Sequence, residues 1–180
     1  MALPALLKTP ALAPHELSAV AEQAVAELLR EGESANTQRS YQGALRYWAA
    51  WYAMRYGDQI ALPLPAACVL QFIVDHAQRT TPKGLVHELP LEIDQALVSS
   101  GFKGKLGPLA NNTLVHRVAV LSKAHQVKEL KNPCRDPKVR ELLSRTRKAY
   151  AKRGELPQKK DALTKDPLKL LLATCDESLR

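Results

Sequence analysis

The chain has 180 residues, 46% of them hydrophobic, which is enough to bury one or two modest cores. Its formal net charge is +8 and its sequence pI about 9.5. The charge is uneven: residues 1–110 carry 9 Lys/Arg against 10 Asp/Glu, and residues 111–180 carry 17 against 8, so the first part is −1 and the second +9. A basic half of this kind points to nucleic acid as the first partner to consider. No stretch approaches the ~18 apolar residues of a membrane span, and Pro4, Pro10 and Pro14 interrupt the Ala/Leu-rich start before signal-peptide length. Cys68, Cys134 and Cys175 are odd in number, far apart and without zinc spacing. The expectation is a soluble cytoplasmic chain, nucleoid-associated if it binds DNA, without disulfide, metal or cofactor.

Helical periodicity dominates, and no alternating segment reads as a convincing strand. Residues 1–13 form a tail. After Pro14, the residues Leu17, Val20, Ala21, Ala24, Val25, Leu28 and Leu29 recur at three- and four-residue spacing until Gly32 ends the helix. Ser34 or Asn36 then caps a second helix running from about Ala35 to Tyr56. One stripe of it (Ala44, Leu45, Trp48, Trp51, Tyr52) is expected inside. Another face carries Asn36, Arg39, Ser40, Gly43 and Arg46. Thr37, Arg39 and Ser40 sit in its first turns, where hydroxyls, a guanidinium and the positive helix end can meet a phosphate.

Pro63 and Pro65 open a third helix, Ala66 to Gln78, with Val69, Leu70, Phe72, Ile73 and Ala77 as core. The region from Thr80 to Ala110 is ambiguous, with a short helix at Leu91 to Ser99 and then a flexible basic loop from Gly101 to Pro108. Asn111 or Asn112 caps a helix to about Val127. Asn132-Pro133 breaks the chain, and Asp136-Pro137 starts a last helix to about Arg153. That makes an all-α core of about five main helices over residues 14–153. A linker follows at 154–162, containing Lys159 and Lys160, and Thr164-Lys165-Asp166-Pro167 starts a fresh helix in 163–180.

The helix from Asn112 has two stripes. Leu114, Val118, Leu121 and His125 form an apolar one, in which His125 reads as a satisfied core residue. Thr113, His116, Arg117, Val120 and Lys123 form a mixed one. The second suits a major groove, where Arg pairs with a guanine edge, His donates to a base or phosphate, and Val touches a thymine methyl. The last helix sets Lys138, Arg140, Arg145, Arg147, Lys148, Lys152 and Arg153 around a buried side of Val139, Leu142, Leu143, Thr146 and Tyr150. Lys159 and Lys160 suit backbone or minor-groove contact. Pairs such as Glu92/Asp94 lie in polar contexts, the histidines form no metal pair, and Gly101, Gly104 and Gly107 lack the surroundings of a phosphate loop. No catalytic constellation is visible.

Several of these elements occur together and in order. They are Ser34-x-Asn36-Thr37-x-Arg39-x-Tyr41 with Trp48 and Trp51; Leu64-Pro65-Ala66 with Val69 and Phe72-Ile73; Asn112-Thr113-Leu114; Asn132-Pro133 with Pro137-x-Val139; and Ala162-Leu163-Thr164. This ordered set resembles the N-terminal core-binding, SAM-like domain of tyrosine site-specific recombinases, the phage integrase family. The resemblance implies a helical domain that clamps a duplex DNA half-site together with a catalytic domain, two of its helices crossing the major groove. Thr37, Arg39, Ser40, Gly43, Asn112, Thr113, His116, Arg117 and Lys123 become contact candidates. Self-association on DNA is implied through the first and last helices. The family's nucleophile and phosphate-holding residues belong to the catalytic domain after the linker, of which this chain holds only the opening helix, so the chain itself is expected to be inert. Residues 80–110 exceed the short turn the resemblance implies. The rival expectations are a stand-alone helical DNA-binding regulator and a helical protein-protein adaptor.

Overall fold

A computed structural model describes residues 18–32, 34–155 and 169. Among them are six α-helices: α1 (Ala19–Glu31), α2 (Ala35–Tyr56), α3 (Ala66–His76), α4 (Leu91–Ser99), α5 (Asn111–Val127) and α6 (Pro137–Lys152). A 3-10 turn, Pro133–Arg135, precedes α6. The fold is all-α, with one addition that the sequence pattern did not announce. Strands β1 (Arg79–Thr81) and β2 (Gly84–Val86) form an antiparallel hairpin, pairing Arg79 with Val86, Thr80 with Leu85 and Thr81 with Gly84. The expectation of no strand is corrected here. Its Thr-Thr and Leu-Val segments are too short to show alternation, and Pro82-Lys83 with Gly84 at φ +112° makes the turn. The same hairpin shortens the third helix, which ends at His76 instead of Gln78.

The core is aromatic. Tyr47, Trp48 and Trp51 of α2 are fully buried against Phe72 and Ile73 of α3 and Leu114, Val118 and Leu121 of α5. Trp48 stacks on Phe72 with ring centroids 3.7 Å apart, and Trp51 meets both edge-on. Such rings bury large areas at fixed geometry, which sets the crossing of α2 and α3. The polar ends of these side chains are all engaged. Trp48 Nε1 donates to the Arg117 carbonyl at 2.9 Å, and Trp51 Nε1 donates to the buried Asp75 carboxylate at 3.0 Å. Asp75 also accepts from Gln71 and pairs with Arg55 at 3.1 Å. His125 is a core residue as read, its Nδ1 donating to the Leu121 carbonyl and its Nε2 accepting from the Leu64 N–H.

The helix ends follow local chemistry. Ser34 Oγ accepts from Thr37 N–H at 3.1 Å and caps α2. Asp136 caps α6 through the Lys138 N–H. At the other end of α6, Gly154 takes φ +80°, its N–H bonding the Ala151 carbonyl while the Glu155 N–H reaches Tyr150, a Schellman ending. The cap of α5 differs from expectation: the residue before the helix is Ala110, and neither Asn111 nor Asn112 caps it.

Two further expectations are corrected. The Gly101–Pro108 segment does not present a basic surface at Lys103, which is buried and ion-paired with Asp94, itself buried instead of in a polar setting. Asp94 also accepts the Gly107 N–H at 2.7 Å, and Lys103 donates to the Gly107 carbonyl, so this pair staples the loop to α4. In α1, Val20 is 79% and Leu28 68% exposed.

No helix among the described residues is long and apolar enough to cross a membrane. The tail at 1–13, most of the 154–162 linker with Lys159 and Lys160, and the fresh helix start at Thr164 lie outside the described residues.

Candidate nucleic-acid interface

Helices α2 and α5 pack against each other. Ser40 Oγ and His116 Nε2 share a hydrogen bond at 2.8 Å, and the Tyr41 ring lies 6.2 Å from the His116 ring. The bond joins residues 76 positions apart and ties the second turn of α2 to the second turn of α5. Thr37 is half-buried with its hydroxyl on Ser34 Oγ at 2.9 Å. Arg39, Ser40 and Gly43 are exposed on α2, as are Asn112, Thr113 and Lys123 on α5. Nothing lies within 4 Å of where a Gly43 side chain would begin, so this face of α2 is open.

The start of α5 carries further polar groups. Ala110 gives α5 no side-chain cap, and an uncapped helix start is a position suited to an anion. Asn111, Asn112, Val115 and His116 line a cleft of about 310 Å³ whose other wall is Arg147 of α6. The Asn111 side-chain oxygen is buried there without a hydrogen-bond partner. In the sequence, Arg147 is one of many cations on α6. Only the packing of α6 against α5 distinguishes it, and no local pattern carries that. Lys138, Arg140, Arg145, Lys148 and Lys152 are likewise exposed along α6.

Two members of the mixed stripe face inward. Val120 is 2% exposed and belongs to the interior, so it does not offer a methyl contact. Arg117 lies with its guanidinium 3.2 Å from the centroid of the Tyr47 ring, a cation–π contact, and its Nη1 is buried without an acceptor. Burial lowers its pKa. The 3.6-residue period sets 113, 116, 117, 120 and 123 on one side of α5, but part of that side is covered by α2. Leu45 departs from its stripe in the opposite sense and is 39% exposed.

Behind this face, Tyr47 donates to His76 Nε2 at 2.7 Å while His76 Nδ1 donates to the Phe72 carbonyl at 2.7 Å. Burial pushes His76 down to about 3 and Tyr47 up to about 12. Tyr150 is buried as well, its hydroxyl accepting from Gln78 N–H and donating to the Leu109 carbonyl. Both tyrosines are internal struts. No group of three or more His, Cys, Asp or Glu among the described residues is arranged to hold a metal ion. A separate cleft of about 690 Å³ between Pro63–Ala66 and Lys131–Pro137 contains none of the expected contact residues. No protein-family model and no curated protein matches this chain.

Proposed function

We propose that this chain is a DNA-binding module that grips duplex DNA through the paired amino-terminal halves of α2 and α5, and that it serves as the core-binding part of a tyrosine recombinase or integrase. The observation that carries the reading is the Ser40–His116 bond. It aligns two helix starts so that Arg39, Gly43, Asn112 and Thr113 lie exposed on one face, with Arg147 beside them. Paired helix starts with exposed hydroxyl, amide and guanidinium groups suit phosphates and groove edges. The +9 charge of residues 111–180 supports the same partner. On this reading the module positions DNA, on which further copies of the protein assemble, and the strand-exchange chemistry belongs to a catalytic domain.

Fluorescence anisotropy with a mixed-sequence duplex tests the binding. The reading expects binding at about 50 mM salt that weakens steeply by about 200 mM. A folded chain with no affinity at either salt, or with salt-insensitive binding to a protein partner instead, refutes it.

A further inference from the structure

The hairpin of β1 and β2 has no role in the core, yet it is fixed at a specific place. Arg79, Thr80, Pro82, Lys83 and Gly84 are exposed, and Leu85 is 52% exposed. A two-stranded ribbon of three pairs is marginal by itself in water, so its order comes from where it is anchored. At its base, Gln78 N–H donates to Tyr150 Oη at 2.8 Å, and Arg153 donates to the Gln78 carbonyl at 3.2 Å. The same Tyr150 hydroxyl donates to the Leu109 carbonyl at 3.0 Å. One oxygen therefore joins the residue before β1 to the residue two before α5. The Leu109 N–H bonds His76 at 2.9 Å, and the Leu89 N–H, beyond β2, bonds Asp75 at 2.9 Å, which pins both ends of the insertion to the end of α3.

This anchoring ties the base of the ribbon, through Tyr150 of α6, to Leu109 just ahead of α5. Within the ribbon, Arg79 is paired with Glu88, Thr81 Oγ1 donates to the Gly84 carbonyl at 2.9 Å, and Lys83 sits at the exposed tip. A two-stranded ribbon is one of the few protein elements that a DNA groove admits, and a tip lysine is a point charge suited to phosphate. We propose that the Arg79–Val86 hairpin is a second DNA arm that meets the duplex next to the segment held by α2 and α5, with the Lys83 ammonium on a backbone phosphate and the Thr80 hydroxyl beside it. The inference rests on the DNA-binding reading above and adds a contact that the helices do not supply.

The test uses the full chain and a mixed-sequence duplex, comparing wild type with Lys83→Ala, Lys83→Glu and, as a charge-matched control, Lys131→Ala, whose side chain is exposed near the opposite end of α3. If Lys83 holds one phosphate, Lys83→Ala makes the slope of log affinity against log salt shallower by about 0.9. Its deficit relative to wild type then shrinks about threefold between about 50 and 200 mM salt. Lys83→Glu weakens binding more, both lose hydroxyl-radical protection at one edge of the wild-type footprint, and Lys131→Ala behaves as wild type. Wild-type binding with unchanged slope and footprint in both Lys83 variants overturns the arm and leaves the DNA reading standing. Absence of wild-type binding by folded protein overturns both.

Discussion

The guanidinium of Arg117 lies 3.2 Å from the centre of the Tyr47 ring, and its backbone carbonyl accepts the indole N–H of Trp48 at 2.9 Å. One residue of α5 therefore meets two aromatic residues of α2, one through its side chain and one through its backbone. Arg117→Ala keeps the carbonyl bond and removes the cation and its aliphatic stem from the interface. The expected cost is about 1–2 kcal/mol of folding stability, read as a lower urea midpoint. Its DNA affinity at matched folded fraction should stay near wild type. A large, sequence-selective loss of DNA binding with unchanged stability would mean that Arg117 swings out to read a base.

Arg39 makes the opposite case. It is exposed in the second turn of α2, its guanidinium 3.5 Å from the Asn36 side-chain oxygen. Arg39→Ala should leave the urea midpoint unchanged and make the salt slope of DNA binding shallower by about 0.9. A stability loss without a change in slope would assign Arg39 to the fold instead.

The contrast between these arginines shows what the sequence discloses. Periodicity placed both on polar helix faces, and that was enough for Arg39, whose surroundings are solvent. For Arg117 the deciding fact is the neighbour: α2 covers that side of α5, so Val120 and Arg117 turn inward while Leu45 stays partly exposed. Long aromatic stripes such as Trp48, Trp51 and Phe72, the Ser34 cap and the core position of His125 follow from spacing alone, since an apolar stripe has one place to go. Pairings between distant elements, Ser40 with His116 or Tyr150 with Leu109 and Gln78, have no local signature. The Asp94–Lys103 staple was hidden for the same reason: each charge, read singly, resembles a solvated loop residue.

That staple makes its own prediction. Lys103→Met removes the cation and leaves the Asp94 carboxylate buried with the Gly107 N–H as its remaining hydrogen-bond donor. Breaking one side of a buried pair typically costs about 3–5 kcal/mol. The urea midpoint should fall well below that of wild type, with faster amide exchange through residues 101–108. A midpoint equal to wild type would show that the pair contributes nothing net.

His76 links folding to pH. Burial depresses its pKa from 6.5 to about 3, and the Arg117 and Lys103 cations push the same way. Between those values the unfolded chain binds a proton that the folded chain does not, so unfolding gains from falling pH. The stability contribution of a neutral His76 is fully present above about pH 6.5 and is lost progressively as the pH falls toward 3. By about pH 5 the loss is on the order of 2 kcal/mol. In the folded protein, the His76 ring signals in an NMR titration should stay at their neutral positions to pH 5. A midpoint near 6.5 in the native spectrum would contradict the burial account.

On the proposed function, duplex DNA seats on the starts of α2 and α5. Hydrogen–deuterium exchange of the full chain with and without a mixed-sequence duplex, at about 50 mM salt, locates the contact directly. DNA should slow exchange in residues 35–43 and 111–116 and in the 79–86 hairpin, while the Pro63–Ala66 side is unchanged. Saturating DNA that leaves 35–43 and 111–116 unprotected, or protects only the Pro63–Ala66 side, would contradict it.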